Sequence, residues 1–301
     1  MLEMAHAGEN HRHVVLIGHL DGLLIAHRAP RLDNRSDPSL SGELLYLLTP
    51  KQRERVRDNI RHVLGADAAN AQIEGVVRQV YRHIAANYYD LFRLPTLSLE
   101  EIRSLVTLEG WEHVAPLAEK KQGFILTTAH FGGFEIVAQA CVLQGVPVVV
   151  PAEHLRPERL YRYIAGLRMS KGLRLIPIDG PLLELFRALR RGEAVGLAAD
   201  RDITNTGLII DFFGAPAHLP RGHVDLALRT GAPIVVGFAY RRPNHTFLAY
   251  LEPPLYLEQS GDRERDVRIG VQKIVSIMER HIASHPEQWV LTYPLWRKAG
   301  Q

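Results

Sequence analysis

From Gly123 onward the chain alternates short apolar runs with amphipathic segments of helix length, and this alternation limits the folds open to it more than any other feature. Apolar runs at 124–128, 146–150, 173–178, 194–198, 208–212, 234–240 and 247–251 predict strands. Between several of them, 135–143, 156–170, 181–191 and 223–230 have helical periodicity. A parallel partner is reached only by a crossover about as long as a helix, so strand, helix, strand in repetition predicts parallel pairing. The expected fold is α/β: a central, largely parallel sheet of about seven strands flanked by helices.

Upstream the pattern is helical. Leu44-Leu45-Tyr46-Leu47-Leu48 is followed by Thr49-Pro50, a cap with proline at the first helical position, and by a basic amphipathic run over 51–64 closed by Gly65. A further helix is expected over about 73–92, where Val76, Val80, Tyr81, Ile84, Tyr88 and Leu91 recur at spacings of three and four. A last helix carries the stripe Val267, Val271, Ile274, Met278 and Ile282. Residues 1–41 differ: His6, His11, His13, His19 and His27 are scattered without the i, i+4 spacing of a metal site, and 30–41 are rich in Pro, Asp, Asn and Ser. The expected organisation is a divergent, loop-rich segment over 1–41 and one domain over 42–301, with N-terminal helices at 42–120 and an α/β core at 121–301.

With 46% apolar and 23% charged residues, the 301-residue chain can bury a full core. Its mild basicity, net charge +3 and pI about 9.0, admits phospholipid head groups, phosphorylated cofactors or nucleic acid as partners. Nucleic acid is disfavoured, since no helix-turn-helix or zinc pattern accompanies the charge. Cys141 is the single cysteine, which removes disulfides, and its apolar neighbours mark it as a buried small hydrophobe. No run reaches the roughly 18 to 20 apolar residues that a spanning helix needs, so none is expected.

The stretch His130-Phe131-Gly132-Gly133-Phe134-Glu135 lies where the first predicted strand ends and a helix begins, the place where open α/β sheets collect ligands. On one continuous helix the five-residue step would set His130 and Glu135 about 140° apart. A turn is therefore required, and the glycine pair gives the backbone freedom for it. A carboxylate folded back onto one imidazole nitrogen would leave the other to take a proton from a hydroxyl. The alternative is a strand cap and a first-turn acid facing the helix dipole.

His-x4-Glu at this strand end resembles the signature of the glycerolipid acyltransferase superfamily, and the whole stretch is similar to the string of its lipid A biosynthesis branch. Further blocks agree in order: Glu153 to Tyr161 with Arg168 and Gly172; Asp200-Arg201-Asp202 with Asp211-Phe212-Phe213-Gly214 and Leu219-Pro220-Arg221-Gly222; Leu228 to Val235; and Pro286-Glu287-Gln288-Trp289. The phosphatidylinositol mannoside acyltransferase type looks nearest. Members usually begin with an amphipathic or spanning helix, a pattern from which residues 1–40 depart.

The resemblance implies transfer of a fatty acyl group from a thioester, acyl-CoA or acyl carrier protein, to a hydroxyl of a membrane glycolipid or phosphoglycolipid. It implies His130 as general base, oriented by Glu135, with Asp200 as a second acid partner of the histidine. For Asp200, a structural salt bridge is an equal alternative. Substrate contacts are expected from Arg156, Arg168, Arg201, Phe212, Phe213 and Arg221; for the phenylalanines core packing would serve as well, and for Arg156 a solvated face, whereas Arg168 matches an arginine of the family block. No permanently bound cofactor and no metal are implied. The protein would sit peripherally on an anionic membrane surface, at the cytoplasmic face of the plasma membrane. Three rival functions are acylation of a lysophospholipid, a non-catalytic lipid-binding or scaffold role, and a thioesterase or other hydrolase that releases free acid.

Overall fold

The computed structural model of the chain describes residues 39–178 and 183–296; the expectation for residues 1–41 lies outside them except at 39–41, which are helical rather than loop. Among the described residues three helices come first: α1 (Ser39–Leu48), α2 (Pro50–Leu64) and α3 (Asn70–Arg93). Pro50 opens α2 where its missing N–H costs no bond, and Gly65 closes it at φ +88°. Leu45, Val56, Ile60, Val77, Val80 and Tyr81 form the core of this helical layer.

After α4 (Leu99–Leu105), the chain enters a seven-stranded sheet through β1 (Val106–Glu109), α5 (Trp111–Glu119), β2 (Phe124–Thr128), α6 (Phe134–Leu143), β3 (Val148–Ala152), α7 (Glu158–Met169), β4 (Arg174–Pro177), α8 (Leu183–Arg190) and β5 (Ala194–Ala198). An antiparallel hairpin, β6 (Leu208–Phe212) with β7 (Ala215–Leu219), stands apart from it. Then follow α9 (Gly222–Thr230), β8 (Ile234–Arg241), β9 (Phe247–Leu251) and α10 (Arg263–Ser284). The order is β1-β9-β8-β2-β5-β3-β4, parallel at every pairing except β8 with β9.

The α/β expectation holds, with seven strands, but their membership differs. The run at 208–212 belongs to the hairpin, and the seventh place is taken by β1, four residues of which two are Thr107 and Glu109. Such a short alternating piece becomes a strand only because the edge of β9 offers it a ladder of unpaired backbone groups.

Strand residues alternate between two buried faces. Phe124, Val148, Ala194 and Val235 pack with α5 and α6, while Ile125, Val149, Val195, Val236 and Phe238 pack with α8, α9 and α10. Cys141 lies in the first of these layers, where burial pushes its thiol up to about 11 and leaves it inert at neutral pH.

Candidate active site

The parallel register of β2 with β5 sets Thr128 beside Ala198. His130 and Asp200 each follow two residues later, so the ladder brings together side chains 70 positions apart in sequence. An amide bond from Ala199 N–H to Thr128 O (2.8 Å) carries the pairing past the strand ends.

The imidazole Nδ1 of His130 lies 2.7 Å from Asp200 Oδ1, and the His130 backbone N–H donates to Oδ2 at 2.8 Å. Oδ2 accepts a further bond from the indole N–H of Trp289 at 3.0 Å. Asp200 is fully buried. Burial by itself would raise its pKa, but the charge of His130 and these three donors outweigh it and hold the carboxyl below its ordinary value. The group is thus an ionised acceptor, so the proton between it and the ring belongs to Nδ1. The His130 side chain is 31% exposed, and Nδ1 is the ring nitrogen taken by Asp200.

The turn after His130 is locked from two sides. Gly132 N–H donates to Gln288 O and Gly133 N–H to Ala239 O, both at 2.8 Å, while Val290 N–H donates to His130 O at 2.9 Å. Gly132 takes φ +56°, and a Cβ there would come within 1.7 Å of Ala239 O. The amides of both glycines are consumed by these contacts and are not free to hold an oxyanion.

Glu135 does not take the position on the histidine expected for it. Its carboxylate, nearly buried in the first turn of α6, receives Arg168 in a fork: Nε at 3.0 and 3.1 Å from the two oxygens and an Nη at 2.5 Å from one. The carboxylate hydrogen-bonded to the imidazole is Asp200. Charge pairing explains the exchange, since a buried carboxylate is stable only against a cation and the planar fork of a guanidinium matches it. Burial lowers and Glu135 raises the Arg168 pKa, with the acid prevailing. Gln139 fixes the same corner by donating to Arg168 O at 2.8 Å.

The remaining residues singled out in the sequence divide into three kinds. Arg156 is exposed, and Arg201, 3.0 Å from Glu153 and above the ring of Tyr293, stays one-third exposed at the rim. Phe212 is wholly buried, stacked on Trp296 and edge-on to Trp289, so it packs the floor and touches nothing that enters from solvent. Phe213, half-buried beside it at φ +52°, donates its N–H to Glu279. Arg221 is spent on Asp225 and Glu264, which together tie α9 to α10. Trp289 was not anticipated as a site residue. Its motif was visible, but no periodicity links it to a carboxylate 89 positions earlier.

A family model described as bacterial lipid A biosynthesis acyltransferase matches residues 40–298. Among curated proteins, the phosphatidylinositol mannoside acyltransferase of Mycobacterium tuberculosis is 28% identical over 254 residues, covering 81% of this chain and 77% of that one. Its namesake in Mycolicibacterium smegmatis is 27% identical over 248 residues, covering 81% and 79%.

Proposed function

This chain belongs to the bacterial lipid A biosynthesis acyltransferase family and is an acyltransferase; on that premise we propose that it moves a fatty acyl group from a thioester to a hydroxyl of a membrane glycolipid, with His130 as general base and Asp200 as its partner. The observation that carries this reading is the 2.7 Å contact between Nδ1 and a buried, ionised Asp200, on an imidazole whose side chain stays 31% exposed.

In the proposed reaction Nε2 takes the proton of the acceptor hydroxyl as its oxygen attacks the thioester carbonyl carbon. A C–O bond forms and the carbonyl electrons move onto oxygen. Asp200 stabilises the imidazolium so created and keeps the ring oriented. When the carbonyl re-forms, the C–S bond breaks, and the imidazolium returns the proton to the departing thiolate of coenzyme A or of an acyl carrier protein. In this reading Arg168, held by Glu135 yet 31% exposed, is a cation for the substrate, with Arg201 beside the dyad.

The acceptor would be met at a membrane surface. Leu40, Leu44, Leu47 and Leu48 of α1 are 80, 52, 63 and 57% exposed, at spacings that place them along one side of the helix. An amphipathic helix with its leucines outward suits insertion at the head-group boundary. Among the described residues no helix is long and apolar enough to cross a membrane.

The test supplies acyl-CoA, acyl carrier protein thioester and a membrane lipid extract, and follows thiol release and acylated lipids by mass spectrometry. Acceptor-dependent release should vanish in His130→Ala and fall about a hundredfold or more in Asp200→Asn at an unchanged Tm. Thiol release without an acceptor would mark a hydrolase and overturn the reading, as would full activity in His130→Ala. A product formed only from lysophospholipid would replace the glycolipid assignment.

A further inference from the structure

The segment 286–290 joins both members of the proposed dyad, by different means. Its backbone grips the histidine: Val290 N–H binds His130 O, Gly132 N–H binds Gln288 O, and Phe131 bridges Trp289 in antiparallel fashion. Its side chain reaches the acid, because the Trp289 indole N–H ends on Asp200 Oδ2. We propose that Trp289 is a positioning residue for acyl transfer, holding Oδ2 so that Oδ1 is presented to the imidazole of His130; this rests on the reading of His130 as the base.

A buried carboxylate with one pinned oxygen has a single way to face its partner. Oδ2 is pinned twice, by His130 N–H and by the indole, and Oδ1 serves the ring. Trp289 is itself 1% exposed and set edge-on against Phe212 and Trp296, so its N–H has little freedom to leave. The other charges around the site are paired among themselves, Arg201 with Glu153 and Arg168 with Glu135. The bland explanation is that a buried indole needs an acceptor and Asp200 provides one. In that case removal of the N–H would cost stability and leave the titration of His130 where it was.

The discriminating measurement is the NMR pH titration of the His130 ring, in the wild type and with Trp289 replaced by 3-benzothienylalanine, which keeps the ring shape and lacks the N–H. Trp289→Phe serves as a second variant. The midpoint is expected to move by roughly half a pH unit or more. It rises if charge freed on Oδ2 is passed to the imidazole and falls if the carboxylate turns away from it. In the acyl transfer assay kcat drops while KM stays, and the acid limb of the pH profile follows the shifted midpoint. In the wild type, the indole proton resonance should track the same titration, a readout that needs no variant to fold. An indole resonance that ignores the titration, or an unmoved midpoint in a folded variant, overturns the proposal. Because the titration needs no substrate, the two ideas separate. Transfer without coupling sinks the role of Trp289 alone, whereas coupling in a protein that transfers no acyl group sinks both.

Discussion

His-x4-Glu names two residues, and the structure separates their work. Asp200 holds the imidazole of His130, while Glu135 neutralises Arg168. Glu135→Gln is therefore expected to lower Tm and raise KM, since it strips a half-buried guanidinium of its acid and frees it from its set position. Asp200→Asn should lower kcat instead, and comparing the two variants by KM-against-kcat split and thermal melt checks the division. A second residue effect concerns stability. His223 on α9 is buried with both ring nitrogens lacking a hydrogen-bond partner among the described residues, and burial holds its pKa down at about 4. The unfolded imidazole titrates near its ordinary 6.5, so protons bind the unfolded chain first. Stability from this site is complete above about pH 6.5 and is lost as pH falls toward 4, by roughly 3 kcal/mol in full. His223→Phe should flatten the difference in urea midpoint between pH 7.5 and 5. A residual slope of the same sign should come from His83, kept at about 4 by burial and by the charges of Arg241 and His285.

At the scale of elements, each piece near the site is held by a neighbour rather than by its own propensity. The turn after His130 needs glycine at 132 because Ala239 O occupies the space of a side chain. The C-terminal segment lies under α2, where Asn59 donates to Leu291 O at 3.0 Å and Tyr293 O at 3.1 Å. The first helix behaves differently, with its leucine stripe turned outward. Replacing Leu44 and Leu47 together by glutamate should leave Tm in place, since both are more than half exposed. Co-sedimentation with anionic lipid vesicles should fall by roughly tenfold or more, because each leucine inserted into lipid is worth about 1.5–3 kcal/mol. Unchanged sedimentation would remove α1 from the proposed membrane contact.

Across the whole molecule, the helical layer and the sheet are joined by a buried charge. Arg241, in the last position of β8, reaches Asn87 Oδ1 at 2.7 Å and Asp90 Oδ2 at 2.5 Å on α3, and its backbone is bracketed by the side-chain amide of Gln288. Burial raises the Asp90 pKa and the guanidinium works against it. Arg241→Ala would leave a buried carboxylate unpaired and should cost about 3–5 kcal/mol. Asp90→Asn in the same chain should recover part of that loss, and a double-mutant cycle by urea denaturation reads the coupling.

Local pattern and motif were enough for the class of fold, the strand end on which His130 stands, the helices of the first layer and the family to which the chain belongs. Those properties depend on spacings of two to five residues, and such spacings are written along the chain. The partner of each element was decided only by the tertiary structure. It moved 208–212 out of the sheet and admitted β1, because pairing depends on which edges remain unpaired. It set Asp200 on His130 through strand register, turned Glu135 to Arg168, and brought Trp289 to the same carboxylate. The physical reason is common to all three. A buried charge must be matched where it is buried, and the groups that match it are chosen by packing across the fold, at sequence distances that no local periodicity encodes.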